Sequence, residues 1–293
     1  MNGRNVKWNS MKKMISWLLS LSMIGSANAQ SPINIMSFNI RYNNPGDSAN
    51  AWPNRKDLAA SQIRFHEAHI IGVQEALHGQ MMDLIERLPG YRYVGVGRDD
   101  GKEKGEYSAI IYDSTRLQLL LTKTFWLSPQ PEVPGSKGWD AAITRIVTWA
   151  RFRDRKSKKE FYVFNTHFDH IGKEARRESA KMLIEKVNQI AGKSPAIITG
   201  DFNSIPSDEP IQVITDNSNP LRLIDTRSVS RSPHYGPTGT FNGFRNKEIN
   251  DDPIDYVFVK NKVKVLKHAT FSQTWNGRFS SDHFPMFVQV IIE

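Results

Sequence analysis

Six stretches of this 293-residue chain set polar or charged side chains directly beside an apolar, β-branched run. Ile33–Phe38 ends at Asn39, and Ile70–Val73 ends at Gln74-Glu75. Phe161–Thr166 ends at His167, with Asp169 and His170 following, and Ala196–Thr199 ends at Gly200-Asp201-Phe202-Asn203. Asp255 opens the run Tyr256–Val259, and Ser281-Asp282-His283 precedes Phe284–Ile292. Polar groups at the ends of rigid strands are placed to converge on a cleft. Asn39, Glu75, Asp201, Asn203, Asp255 and Asp282 offer the hard oxygen atoms that Mg2+ or Mn2+ takes, one or two carboxylates with water completing the shell. His167 and His283 add donors or proton carriers. The chain has no cysteine, no serine in G-x-S-x-G and no Walker loop, so covalent acyl chemistry and P-loop phosphate binding lack their residues. Carboxylates, amides and two histidines suit metal-assisted attack of water on phosphorus. Taken singly, each feature also has a plain structural reading. Gly200-Asp201 fits an Asx turn, Glu75 a helix cap, and Asp282-His283 a surface pair. The set as a whole tips the reading toward a site.

The elements that must position these residues follow from periodicity. Further strand-length runs are Tyr91–Val96, Ser108–Tyr112 and Ile146–Phe152, bounded by turn residues. Helical spacing appears in 55–67 (Leu58, Ala59, Ile63), in 80–88 (Met81, Leu84, Ile85, Leu88) and in 173–190 (Ala180, Leu183, Ile184, Val187). No repeat, low-complexity tract or Gly/Ser linker divides the chain. Many strands alternating with few helices predict a single α/β domain with sheets packed face to face and helices outside. The charge run from Arg151 to Glu160 lies between two predicted strands and reads as a solvated hairpin turn rather than a nucleic-acid patch.

Hydrophobic residues at 39% and charged residues at 24% describe a globular chain, not a disordered or polytopic membrane one. The absence of cysteine excludes disulfides, thiolate metal sites and a lipidated Cys anchor. The formal net charge is +9; subtracting Arg4, Lys7, Lys12 and Lys13, which precede residue 30 with no acid among them, leaves a mild +5. The basic Met11-Lys12-Lys13, the apolar stretch Met14 to Gly25 and the small-x-small Ala27-Asn28-Ala29 occur in the order of a signal peptide and its cleavage site. The apolar stretch is too short for a stable membrane span. Residues 1–29 therefore read as a signal peptide, with Met1 or Met11 as its start, and 30–293 as one catalytic domain working in the periplasm or outside the cell.

The ordered motifs MSFNIRY, IIGVQEAL, GEYSAIIYD, TRIVTWARF, FNTHFDH, TGDFNSIP, PIDYVFV and SSDHFPMFVQV span residues 32–293. In that order they resemble the endonuclease/exonuclease/phosphatase superfamily, on the deoxyribonuclease side, as a secreted bacterial member. The resemblance implies a four-layer α/β sandwich, two mixed β-sheets face to face with helices outside. It also implies roles: Glu75 as main Mg2+ (or Mn2+) ligand, with Asn39 and Asp282 at the metal, and Asp201 orienting or deprotonating the attacking water. Asn203 would donate to a phosphate oxygen, His283 would contact phosphate while held by Asp255, and His167 would be oriented by Glu106. Arg145 would approach the substrate phosphate.

The implied activity is divalent-metal-dependent hydrolysis of a phosphodiester or phosphomonoester. Its phosphorylated partner could be a small molecule, a lipid head group or a nucleic acid. Tyr42, Trp52, Trp139, Phe241 and Trp275 are candidates for pocket walls, at least half of them expected to serve packing. Two alternatives stand beside this reading: a nuclease acting on extracellular nucleic acid, and a catalytically silent binding module on the same scaffold. A silent relative should have lost ligands that are all present here. A nucleic-acid-compacting role would need more charge than +5.

Overall fold

β-Branched and aromatic runs pack well on a pleated surface, and in the computed structural model they form two six-stranded sheets. The structure describes residues 31–246 and 251–293, and the signal-peptide reading of residues 1–29 lies outside them. The strands are β1 (Ile33–Asn39), β2 (Ile70–Ala76), β3 (Tyr91–Val94), β4 (Tyr107–Asp113), β5 (Leu117–Trp126) and β6 (Ile146–Asp154), followed by β7 (Glu160–His167), β8 (Ala196–Asp201), β9 (Ile224–Asp225), β10 (Asp255–Lys260), β11 (Val263–Thr270) and β12 (Met286–Ile292). The helices are α1 (Lys56–Phe65), α2 (His78–Arg87), α3 (Lys173–Ala191), α4 (Glu209–Thr215) and α5 (Thr226–Val229). Among the described residues no helix is long and apolar enough to cross a membrane.

The first sheet runs β11-β12-β1-β2-β4-β3 and the second β5-β6-β7-β8-β10-β9. Each is mixed: β1 pairs parallel with β2, and β7 parallel with β8, while their other neighbours are antiparallel. Alternation along each strand divides its apolar residues between two cores. Ile33, Ile35 and Ile70 of the first sheet meet Phe152, Val163 and Ile197 of the second in a central layer. Met36, Phe38, Ile71 and Val73 face outward against Ala59 and Ile63 of α1 and Met81 and Leu84 of α2. On the other side Phe164, Ile198 and Phe258 pack on Leu183 and Val187 of α3 and Ile211 and Ile214 of α4. The result is a four-layer α/β sandwich. Truncating a fully buried residue such as Phe152 to Ala should cost about 3–5 kcal/mol.

The three expected helices form within two residues of their predicted ends. The basic run from Arg151 to Glu160 is the β6–β7 hairpin, where Arg151 and Arg153 pair with Glu160. Two long strands, β5 and β11, were not legible in the sequence. Both lie on sheet edges and both are bulged, at Leu119/Leu121 and Val265/Lys267. A bulge shifts the alternation by one residue partway along the strand and blurs its period.

Candidate active site

Asn39, His167 and Asp201 are the last residues of β1, β7 and β8, Glu75 is the penultimate residue of β2, and Asp255 is the first of antiparallel β10. Parallel pairing therefore brings them to one end of the sandwich, with His167 in register with Asp201, and Asp201 with Asp255. The two sheets meet closely below this end. A Cβ on Gly72 would lie 2.0 Å from Thr199 Oγ1 and 2.5 Å from Asn165 Oδ1, so only glycine fits. The space is filled by a buried polar network. Gln74 Nε2 donates to Asn165 Oδ1 (2.6 Å), Thr199 Oγ1 donates to the same oxygen (2.9 Å), and Asn165 Nδ2 donates to the carbonyls of Val73 (2.9 Å) and Ala109 (2.8 Å). This network, in which Gln74 Oε1 alone lacks a partner among the described residues, ties the strands of the two sheets together below the site.

At the rim of the first sheet, Asn39 bridges two carboxylates. Its Nδ2 donates to Glu75 Oε1 and to Asp201 Oδ2, both at 2.9 Å, while its Oδ1 accepts the Arg41 N–H. Glu75 also accepts from Tyr42 N (3.1 Å) and adopts a left-handed φ of 65° at an irregularity in the β2–β4 pairing. Arg41 and Asn203 are left-handed too, at 57° and 46°. Strain of this kind costs about 1–3 kcal/mol per residue and persists where surrounding bonds over-determine the backbone. The Arg41 guanidinium, held by Asp47, lies 3.8 Å from both Glu75 Oε2 and Asp282 Oδ2. Burial pushes the Asp282 carboxyl above its ordinary range; Glu75 adds to this, while His283 and Arg41 oppose it. Glu75 and Asp282, two carboxylates that face one positive group, are donors that fit a hard divalent cation, while the Asn39 amide turns Nδ2 toward Glu75 and its oxygen toward Arg41 N. Arg55, fully buried, ties the rim together through donations to the carbonyls of Ile40 and Ser280 (both 2.8 Å) and of Asn50. Burial lowers its pKa to about 10. Nothing in the sequence flagged this positioning arginine.

The second sheet supplies the proton-handling end. Asp201 Oδ1 accepts from Asn203 N (2.9 Å), and its Oδ2 lies 3.6 Å from His167 Nε2 and 3.8 Å from His283 Nε2. Burial raises the Asp201 carboxyl to about 7, reinforced by Asp255 and opposed by His283 and the Asn39 amide. His283 Nδ1 is 2.8 Å from Asp255 Oδ2. Burial disfavours a charged ring there, yet Asp255 and Asp201 outweigh it and hold His283 well above the usual imidazole range. Asp201, Asp255 and His283 have ligand-type atoms within 4.8 Å of one another. The Asp255–His283 bond fixes the ring and leaves Nε2 facing Asp201, so the trio can pass a proton or offer ligand atoms to an ion.

His167 departs from expectation. Asn203 Nδ2 donates to Phe168 O (2.9 Å) and lies 3.0 Å from His167 Nε2, which makes Nε2 the acceptor and puts the ring proton on Nδ1. Glu106, expected to orient this ring, instead gives both carboxylate oxygens to Arg98 (2.6 and 3.1 Å). His167 Nδ1 has no hydrogen-bond partner among the described residues. The physical reason is competition: a guanidinium forks onto a carboxylate with two charge-assisted bonds, where a neutral ring offers one. Burial, then Arg145 and Arg98, push the His167 pKa well down.

Arg145 enters the same cleft, 4% exposed, with Nη2 3.2 Å from His170 Nδ1 and Nε 3.8 Å from Asp169 Oδ2; Nε and Nη1 make no hydrogen bond among the described residues. Burial lowers its pKa to about 10. Asp169 and Asp140, adjacent in sequence to these groups, are structural: Asp169 accepts the N–H groups of Ala142, Ile143, Ile171 and Gly172, and Asp140 caps α3 at Glu174 and Ala175. The cleft has a volume of about 730 Å³. Tyr42 and Phe241 line it, whereas Trp52 is buried in the outer core and Trp139 and Trp275 stand apart from the lining.

A model of the Endonuclease/Exonuclease/phosphatase family matches residues 36–283. The solved endonuclease/exonuclease/phosphatase of Bacteroides vulgatus is 40% identical, with a TM-score of 0.86 over 90% of this chain and 100% of that one. A mannosyl-6-phosphatase of Bacteroides thetaiotaomicron is 38% identical, with a TM-score of 0.82 over 88% of this chain and 99% of that one. In sequence, an uncharacterized protein of Acanthamoeba polyphaga mimivirus is 30% identical over 250 residues, 81% of this chain and 91% of its own length.

Proposed function

The chain belongs to the endonuclease/exonuclease/phosphatase family of phosphoester hydrolases, and from that premise we propose that it is a Mg2+- or Mn2+-dependent phosphatase. Its proposed substrate is a phosphate monoester of a small hydroxylated molecule, a hexose phosphate first among them. The observation that carries this reading is the placement of Asp201, a buried carboxylate standing between two histidines and an amide at the floor of one cleft. The likeness to a mannosyl-6-phosphatase supports the choice of substrate.

Glu75, Asp282 and Asn39 are the residues that would hold the cation, which when bound neutralises phosphoryl charge and makes water more acidic. Asp201 orients the attacking water and takes one of its protons as the new P–O bond forms and the ester P–O bond breaks. General-base help of this kind is worth about 10²–10⁴-fold. The protonated His283 ring, kept charged by Asp255, and the Arg145 guanidinium stabilise the negative charge on the phosphoryl oxygens. Asn203 holds His167 and the Asp201 carboxylate in place.

The test is a hydrolysis panel with purified protein. It contains mannose 6-phosphate, glucose 6-phosphate, inositol phosphates, sphingomyelin, RNA, duplex DNA and a p-nitrophenyl diester, each with and without chelator. Highest turnover on a hexose phosphate, abolished by chelator and restored by Mg2+ or Mn2+, is the expected result. Preferred cleavage of nucleic acid, or turnover indifferent to chelator, would contradict it. We further propose that this chemistry takes place outside the cytoplasm. N-terminal sequencing of the exported protein should begin within a few residues of Gln30, and an intact N-terminus recovered from the cytoplasm would count against export.

A further inference from the structure

Three aromatic side chains that line the cleft differ in what already covers them. Tyr42 lies under the Arg41 guanidinium, 4.4 Å from its ring centroid, and Phe244 under that of Arg55 at 5.2 Å. Phe241 is 40% exposed, an unusual state for a phenylalanine beside buried catalytic groups, and its ring meets that of His283 edge-on at 5.1 Å and 65°.

Its position is fixed by the residues that do the chemistry. Phe241 forms a β-bridge with His283. On one side of it, the Thr240 carbonyl accepts Phe284 N (2.7 Å), and Thr240 Oγ1 accepts Ile254 N (3.1 Å) and Asp255 N (3.2 Å). On the other, Asn242 N and Gly243 N both donate to the Asp282 carbonyl, at 2.8 and 3.1 Å. A rigidly held apolar ring next to the phosphate-binding histidine gains hydrophobic free energy only when a ligand covers it.

We propose that Phe241 is the specificity-determining platform on which the leaving group of the substrate, a pyranose ring, rests during phosphate hydrolysis. The inference builds on the hexose-phosphate reading above. One face of a pyranose presents C–H groups with partial positive charge, which suits the negative face of an aromatic ring. An acyclic leaving group has no such face, so discrimination between the two should pass through this side chain.

The experiment measures kcat and KM for mannose 6-phosphate, glycerol 3-phosphate and adenosine 5′-monophosphate with wild type, Phe241→Ala, Phe241→Leu and Phe241→Trp at saturating Mn2+. In Phe241→Ala the ratio of kcat/KM for mannose 6-phosphate to that for glycerol 3-phosphate should fall about tenfold, mostly through KM. Phe241→Leu should fall in between, and Phe241→Trp should keep the ratio. An equal loss on both esters, or a loss confined to kcat, would assign Phe241 to supporting His283 and overturn the proposal, as would no change on either. Preference for adenosine monophosphate with the same dependence on Phe241 would give the platform to a base and overturn the sugar assignment. Wild type inert toward all three would overturn the underlying hexose-phosphate reading instead, whatever the variants did.

Discussion

Asp255 Oδ2 lies 2.8 Å from His283 Nδ1, joining the start of β10 to the segment before β12. The other Asp255 oxygen is buried and makes no hydrogen bond among the described residues, which leaves the ring as the carboxylate's side-chain partner there. Removing His283 should cost about 3 kcal/mol of transition-state stabilisation, comparable to a lost oxyanion donor. Asp255→Ala added to His283→Ala should cost little more, because residues acting as one unit are not additive. Measurement of kcat/KM for the two singles and the double tests this, and full additivity would separate the pair.

Glu106 belongs to Arg98, not to His167, and both partners are mostly buried. Breaking such a pair leaves an uncompensated charge and should cost about 3 kcal/mol of folding stability. The Glu106→Ala and Arg98→Ala changes should therefore couple strongly in denaturant unfolding, the double being little worse than either single. In kcat/KM, Glu106→Ala and His167→Ala should be close to additive. Strong coupling of Glu106 with His167 instead would restore the orienting role first expected of it.

Metal binding can be read without turnover. A ligand at one hundred times its Kd stabilises the folded state by about 2.7 kcal/mol, which for a domain of this size raises Tm by several degrees. Wild type should show that rise with Mn2+, and Glu75→Gln, which keeps volume but loses charge, should show little of it at the same concentration. A full Mn2+-induced rise in Glu75→Gln would remove Glu75 from the ligand set.

Away from the cleft, His268 of β11 lies 2.8 Å, Nδ1 to Nδ1, from His234. Burial, then His234 and Arg227, lower its pKa to about 3. A base held below its unfolded value of about 6.5 leaves stability intact above pH 6.5. Stability is then lost as pH falls toward 3, because the unfolded chain takes the proton first. At pH 4.5 the loss from this residue should be about 2–3 kcal/mol. Denaturant unfolding at pH 7 and pH 4.5 should show a smaller difference for His268→Gln than for wild type. Equal differences would mean that His268 is not the titrating group.

The residues legible in the sequence were those whose chemistry sits at the end of a local pattern. Asp201 and Asn203 follow a buried apolar run, and Asp282-His283 precede one, so strand ends pointed to them before any contact was known. What escaped the sequence depends on partners far apart in the chain. Gln74 meets Asn165 across 91 residues, and Arg55 meets Ser280 across 225; no local period encodes either. The Glu106 pairing was misread because motif order identifies a carboxylate near the site but does not reveal that Arg98, eight residues earlier, competes for it. Edge strands β5 and β11 were hidden by their bulges.

In the proposed mechanism Asp201 activates water for attack on a phosphate ester. Asp201→Asn keeps the size of the side chain and its hydrogen bond from Asn203 N while removing the base. The decisive measurement is kcat/KM of this variant on the best phosphomonoester of the panel, at saturating Mn2+ and with Tm checked against wild type. A fall of about 10²–10⁴-fold with an unchanged fold is the predicted result. Activity within a few-fold of wild type would mean that Asp201 is not the base.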